Sequence, residues 1–278
     1  IGAMSLTTSG AIYRAGFSPL MSGVFVMPFP YLSNGPYNTE ATDRIKGVVS
    51  KTGTKPGTGT DTGTNTDVLP NYWGNISAEY VELHVERCLA DVELMLKTQT
   101  APSETAAILI EPILGEGGYL PCPPGYLKGL RELCDRHDLL LICDEVQTGF
   151  GRTGEMFACD WIDNGINPDI LIAAKGIANG YPLSVVATRT ELSSHQPGGS
   201  MGGTYGGNAL SCVAALAVLE TFKNENILDN VKSKHDELKK YISNKLTAKG
   251  FAAIKEVRGN GLMIGMYECD CVCVAVCV

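Results

Sequence analysis

Leu139-Leu-Leu-Ile-Cys143, followed at once by Asp144, is the stretch from which the fold can be read. Five successive apolar residues are too few for an ordinary helix and read as a strand buried in a sheet. Two other stretches repeat the pattern. Ala106-Ala-Ile-Leu-Ile110 runs into Glu111, and Asp169-Ile-Leu-Ile-Ala-Ala174 runs into Lys175. Between the first two strands, Pro123-Pro-Gly125 opens a helix through Leu127, Leu130 and Leu133 that ends near His137-Asp138. Strands alternating with helices predict an α/β chain with right-handed crossovers and a mostly parallel sheet. Function in such sheets gathers at the carboxyl ends of the strands, where Glu111, Asp144 and Lys175 stand.

Further out, Ser184-Val-Val-Ala-Thr188 and Gly261-Leu-Met-Ile-Gly-Met266 are short strand candidates, and Val24-Phe-Val-Met-Pro28 is strand-like. A helix is expected over about 76–97. Its apolar side is read as Tyr80, Val81, Leu83, Val85, Cys88, Leu89, Val92, Leu94 and Leu96. Residues 209–249 read as helical with a break near Lys223-Asn-Glu-Asn226. The low-complexity run over 51–66, alternating Thr and Gly, cannot build a packed face and is expected as a surface insertion.

The 278 residues suit one large domain or two smaller ones. Lys plus Arg number 22 against 30 Asp plus Glu, a net charge of −8 that argues against a nucleic-acid or anionic-membrane binder. No apolar run approaches the roughly 20 residues that a membrane helix needs. Of the ten cysteines, Cys88, Cys122, Cys134, Cys143, Cys159 and Cys212 are scattered in apolar or helical context and read as buried thiols of a reducing compartment. The other four alternate through Cys269-Asp-Cys-Val-Cys-Val-Ala-Val-Cys277, the period of one strand face. That spacing suits an edge strand better than a tetrahedral metal site, and no metal is expected.

A carboxylate at a strand end is ordinarily a helix cap or surface charge. Lys175 is different, because a lysine between an apolar strand and Gly176 is expected to be partly desolvated and available as a nucleophile toward carbonyl compounds. Pyridoxal phosphate needs a lysine for its aldehyde, an acid for its pyridinium nitrogen and donors for its phosphate. Asp144 can be the acid, and the loop Gly202-Gly-Thr-Tyr-Gly-Gly-Asn208 ahead of a helix can hold the phosphate, although a turn with a helix cap explains that loop alone.

These residues lie in four longer motifs. They are Ile110-Glu-Pro-Ile-Leu-Gly-Glu-Gly-Gly118, Asp144-Glu-Val-Gln-Thr-Gly-Phe-Gly-Arg-Thr-Gly154, Pro168-Asp-Ile-Leu-Ile-Ala-Ala-Lys-Gly176 with Gly180-Tyr-Pro-Leu183, and the Gly202–Asn208 loop. In this order they make the chain resemble the class III (subgroup II) pyridoxal-phosphate-dependent aminotransferases, from residue 1 to about Met266 outside the Thr/Gly run. The resemblance implies a type I fold: a mostly parallel central sheet flanked by helices, with part of a smaller C-terminal α+β domain. It places the large cofactor domain at 1–222, with the insertion at 50–70, and the partial small domain at 223–278.

By that resemblance Lys175 is the Schiff-base lysine and the group that moves the substrate proton. Asp144 pairs with the pyridine nitrogen, Val146 packs on the ring and Gln147 bonds the phenolic oxygen. Thr204 reaches the phosphate held by a neighbouring subunit, which implies a homodimer. Glu116 corresponds to a glutamate that pairs with an arginine displaced by dicarboxylic substrates. Glu111 lies near the site, and Arg152 is expected to order its loop through an ion pair. The family's Gly-Ser/Thr-Glu-Ala and aromatic-His-Gly-Arg segments are not matched here, nor is its longer C-terminal domain, so the chain is expected to be incomplete. The implied reaction moves the amino group of an ω-amino acid such as 4-aminobutyrate to a 2-oxo acid such as 2-oxoglutarate, in an intracellular compartment, cytoplasmic or mitochondrial. The alternatives are a related ornithine, acetylornithine or alanine–glyoxylate aminotransferase, an aminomutase, or an inert fragment.

Overall fold

The computed structural model describes residues 2–8, 10–32, 78–248, 254–268 and 273–277. The Thr/Gly run and Cys269 and Cys271 lie outside the described residues. After a first helical turn, α1 (Gly2–Leu6), the long helix α2 covers Ala78–Thr98. Strand β1 (Ala107–Ile110) follows, then a small antiparallel hairpin, β2 (Ile113–Leu114) and β3 (Leu120–Pro121). Helix α3 (Tyr126–His137) returns the chain to β4 (Leu140–Asp144). The short α4 (Ala158–Trp161) leads on to β5 (Ile170–Ala173) and β6 (Val185–Thr188).

These strands form one sheet in the order β1-β4-β5-β6. The first three are parallel, as the alternation predicts, and β6 closes the edge antiparallel. Helix α5 (Thr190–Ser193), helix α6 (Ala209–Asn224) and helix α7 (Ile227–Ala248) come next. A separate antiparallel sheet, β7 (Ile254–Asn260), β8 (Met263–Glu268) and β9 (Cys273–Cys277), ends the chain. β9 is an edge strand, as the period-two cysteines suggest. The Val24–Pro28 stretch, by contrast, forms no strand. Pro28 and Pro30 bring no N–H to a ladder, and Phe25 and Val26 stay exposed.

The core lies on one face of the main sheet. Val81, Val85, Cys88, Val92 and Leu96 of α2 and Leu127, Leu130, Leu133 and Cys134 of α3 pack against Leu141 and Cys143 of β4. The α2 positions are spaced three or four apart, which is one helical stripe. Leu83 and Leu94 fall outside that stripe and are 54% and 56% exposed, against the broad side read from the sequence. The apolar runs of β1, β4 and β5 imply strands buried in the sheet. Instead β4 alternates between buried and half-buried residues, and β6 is exposed along its length. The reason is unequal cover: among the described residues the second cluster is small, with Ile177, Ala178 and Ala215 meeting Phe150 and Leu183.

Local signals explain the element ends. Asp163 reaches back from the segment after α4 to accept the N–H groups of Gly125 (2.5 Å) and Lys128 (3.0 Å), capping α3. Asn208 caps α6 by accepting the Ser211 N–H at 2.9 Å. The β7–β8 turn docks on the loop after β4, where Leu262 donates its N–H to the Arg152 carbonyl at 2.8 Å. Gly261 makes that approach possible: its φ is +56°, and a Cβ there would lie 2.4 Å from the same carbonyl. Five of the six scattered cysteines are buried, and burial raises their thiols, Cys134 to about 11 and Cys143 to about 12. They are inert packing groups. Among the described residues no helix is long and apolar enough to cross a membrane.

Asp169 fastens the amino end of β5. Its carboxylate accepts the Leu141 N–H at 2.8 Å and pairs with Arg131 at 2.7 Å and Arg189 at 2.6 Å. Burial opposes its ionisation, but the Leu141 N–H and the two guanidinium groups outweigh that and hold the carboxyl below the usual carboxylate range. Because folding lowers this pKa, the contribution is present above the unfolded value of about 3.9 and is lost as pH falls through the folded one. Asp169→Ala is expected to cost about 1–3 kcal/mol at neutral pH by leaving the buried Leu141 N–H without its acceptor and Arg131 with Asp135 as its remaining carboxylate. Urea denaturation as a function of pH checks this; the gap from the wild type should close under acid conditions.

Candidate active site

Parallel pairing places Ile110 beside Cys143 and Asp144 beside Ile172, so β1, β4 and β5 end along one edge. Glu111 follows β1, Asp144 is the last residue of β4, and Lys175 stands two residues after β5. Lys175 opens a short turn with φ at +44°, a left-handed conformation that is rare for a side-chain-bearing residue and turns the chain sharply at the sheet edge.

Gln147 joins the group from the turn after β4. Lys175 Nζ donates to Gln147 Oε1 at 3.2 Å, and Gln147 Nε2 donates to the Tyr119 hydroxyl at 3.1 Å. Asp144 Oδ1 accepts the Val146 N–H at 3.0 Å, which orients the carboxylate. Glu111 Oε2 accepts the Gly115 N–H at 2.8 Å. Burial pushes the Glu111 carboxyl up; the Gly115 N–H opposes that, Asp144 and Glu116 add to it, and Lys175 lowers it. Glu111, Asp144, Glu116 and Lys175 therefore share one electrostatic environment. A cavity of about 270 Å³ lies elsewhere, against α7 and the Thr153–Glu155 loop, where Lys232 pairs with Glu155 at 2.7 Å; it shares no residue with this group.

Of the residues expected at the site, Lys175, Asp144, Val146 and Gln147 come together at one edge, with Glu116 on the adjoining hairpin turn. Thr204 does not join them. It lies exposed in the turn before α6, and no hydrogen bond ties it to Lys175, Asp144 or Gln147 among the described residues. Lys175 also departs from expectation: its side chain is exposed, because it projects from the open edge beyond the sheet. Arg152 meets the β7–β8 turn through its backbone carbonyl.

Two participants were not expected. Tyr119 supports Gln147 from the hairpin, and nothing in the spacing of Gly118-Tyr-Leu120 indicates it. Glu145 is fully buried, where it accepts the N–H groups of Ala158 (3.0 Å) and Cys159 (2.7 Å) and the Thr148 hydroxyl. Alternation along β4 gives the signal for Glu145, since neighbouring residues face opposite sides and only Asp144 can face the site.

An amine, a carboxylate and an amide carbonyl on one sheet edge form a set that suits a cofactor carrying an aldehyde, a basic ring nitrogen and a phenolic oxygen. Among the described residues no hydrogen bond brings Thr204, the expected phosphate contact, into this set.

Comparison with known proteins agrees with this chemistry. Residues 44–271 match the family described as aminotransferase class-III. The 5-aminovalerate aminotransferase of Pseudomonas putida is 44% identical over 194 residues, covering 66% of this chain and 43% of its own. The 4-aminobutyrate aminotransferase of Escherichia coli is 42% identical (64% and 41%), and the ornithine aminotransferase of Oceanobacillus iheyensis 46% identical (58% and 39%). The chain thus spans about two fifths of the length of these curated relatives. Among solved structures, an (S)-enantioselective ω-transaminase from Thermomicrobium roseum superposes with a TM-score of 0.70 at 28% identity, over 95% of this chain and 50% of its own. A taurine:2-oxoglutarate aminotransferase from Bifidobacterium kashiwanohense, in complex with PLP and glutamate, gives 0.64 at 32% identity (71% and 44%).

Folding raises the Glu111 pKa, so its carboxyl favours the native state only below the unfolded value of about 4.3, and that contribution is lost as pH rises through the folded value. Glu111→Gln keeps an acceptor for the Gly115 N–H without the charge. It is expected to be more stable than the wild type at neutral pH, with the advantage vanishing near pH ~3. Chemical denaturation at the two pH values checks this, and an equal difference at both would contradict it.

Proposed function

The chain belongs to the class-III aminotransferases, and we propose that it holds pyridoxal phosphate, the family's cofactor, at Lys175, Asp144, Val146 and Gln147 and serves amino transfer from an ω-amino acid to a 2-oxo acid. The observation that carries this reading is the Lys175–Gln147 hydrogen bond beside Asp144 on the shared strand edge. 5-Aminovalerate and 4-aminobutyrate, named in two relatives, are both ω-amino acids, and 2-oxoglutarate is named in a structural neighbour. Ornithine and acetylornithine enzymes among the relatives keep those donors as alternatives.

Pyridoxal phosphate, when bound, supplies an aldehyde that receives the amino group and a ring that withdraws electrons from the donor carbon. The chain's residues do the rest. Asp144 is the group that keeps a proton on the ring nitrogen, with its orientation set by the Val146 N–H. Lys175 Nζ carries the proton to and from the donor carbon, and Gln147 Oε1 holds that amine in place. Val146, half-buried, gives the ring an apolar neighbour. Glu116, itself exposed on the turn between β2 and β3, is placed to meet a substrate-side arginine.

Thr204 serves the phosphate across a homodimer, a role that its exposure supports. The adjoining face of α6, with Leu210, Val213 and Leu216 each at least 60% exposed, suits such an interface. The division into a cofactor domain at 1–222 and a partial small domain at 223–278 belongs to the same reading. The exposure of Lys175 favours a second one, a chain that takes up cofactor without turnover, because amino transfer needs water excluded.

Protein mixed with pyridoxal phosphate and reduced with borohydride is expected to carry the cofactor on the peptide containing Lys175, and Lys175→Ala to carry none. An adduct of equal yield in Lys175→Ala would overturn the assignment. Transfer from 4-aminobutyrate to 2-oxoglutarate by unreduced protein loaded with pyridoxal phosphate separates the two readings: turnover supports the first, and an adduct at Lys175 without turnover the second.

A further inference from the structure

Gln147 is the residue through which the hairpin acts on the lysine. Its side chain ends in an amide whose oxygen and nitrogen ends are nearly equal in size, and rotation about its last torsion is soft. Lys175 offers donors only, so the oxygen must face it. That leaves the Nε2 end to be satisfied, and the Tyr119 hydroxyl receives it at 3.1 Å. Gly115 leaves the room, since a Cβ there would lie 2.6 Å from Gln147 Oε1.

Tyr119 itself is held unusually firmly. It is 5% exposed, and its φ is +53°, a left-handed conformation that a bulky residue adopts only where its surroundings impose it. The Tyr119 N–H bonds the Gly115 carbonyl at 3.3 Å, and the neighbouring Gly118 carbonyl accepts Nε of Arg258, itself 3% exposed, at 3.1 Å. Arg258 lies on β7, so the C-terminal sheet fixes the hairpin that carries Tyr119.

We infer that Tyr119 is a positioning residue for the lysine: its hydroxyl anchors the Gln147 amide and so sets the place of Lys175 Nζ. This rests on the reading of Lys175 as the cofactor-bearing amine. Removing the anchor leaves the Lys175–Gln147 bond to a freely rotating amide, a loss of one net hydrogen bond, or about three- to tenfold in cofactor affinity.

The test uses the whole chain, with pyridoxal phosphate binding followed by visible absorption and the side-chain amide of Gln147 followed by NMR without cofactor. Tyr119→Phe keeps the ring in its pocket. It is expected to move the Gln147 Nε2 proton resonances toward those of a solvated amide and to weaken cofactor binding about three- to tenfold. Gln147→Met removes the same link from the other side, and in that background Tyr119→Phe is expected to have no further effect on binding. Unmoved Gln147 resonances, or equal weakening by Tyr119→Phe in both backgrounds, overturns the inference. If Tyr119→Phe does not fold, slow solvent exchange of the wild-type Nε2 protons supports the anchor, and exchange at the rate of a free amide refutes it. If the wild type takes no cofactor at Lys175, the functional reading falls, while the Gln147 resonances still decide the anchor.

Discussion

Parallel hydrogen bonding of β4 between β1 and β5 is the constraint on which the site depends. In a parallel ladder all strands leave the sheet at the same edge, so one register decides which residues meet there. A slip of one residue would turn Asp144 to the core and Glu145 to the site. The packing forbids it, because Leu141 and Cys143 are fully buried on one face and Glu145 is bound to the first turn of α4. Asp169 secures the opposite end, joining β4, α3 and the residue after β6 through Leu141, Arg131 and Arg189. Rigidity concentrated at the amino ends frees the carboxyl ends to carry reactive groups without carrying the fold.

Much of this was legible in the sequence, because apolar runs of four or five residues ending in a charged group fix both strand and polarity. Lys175, Asp144 and Glu111 could be placed at strand ends in this way. Elements that depend on distant partners were less legible. The Val24–Pro28 stretch has strand-like composition without donors to pair, and the small hairpin of β2 and β3 consists of two-residue strands below any pattern. Tyr119 left no trace, since its role arises from a left-handed turn and a contact 28 residues away. Burial of the strands is less complete than their apolar runs imply, because such a run reports strand character and not how many helices cover it.

The hairpin shows how the two sheets cooperate. Arg258 from β7 grips the turn after Glu116, and that turn presents Tyr119 to Gln147. Backbone strain at Tyr119 is sustained by these contacts, which is the usual circumstance in which a bulky residue keeps a positive φ. The terminal sheet therefore bears on the position of the lysine without touching it.

In the proposed function, Lys175, Asp144 and Gln147 form one cofactor-bearing edge. A crystal structure of the chain grown with pyridoxal phosphate tests it most directly. The expected result is cofactor density continuous with Lys175 Nζ, with the ring nitrogen against Asp144 and the phenolic oxygen toward Gln147. Density on another lysine, or a ring nitrogen turned away from Asp144, would contradict it.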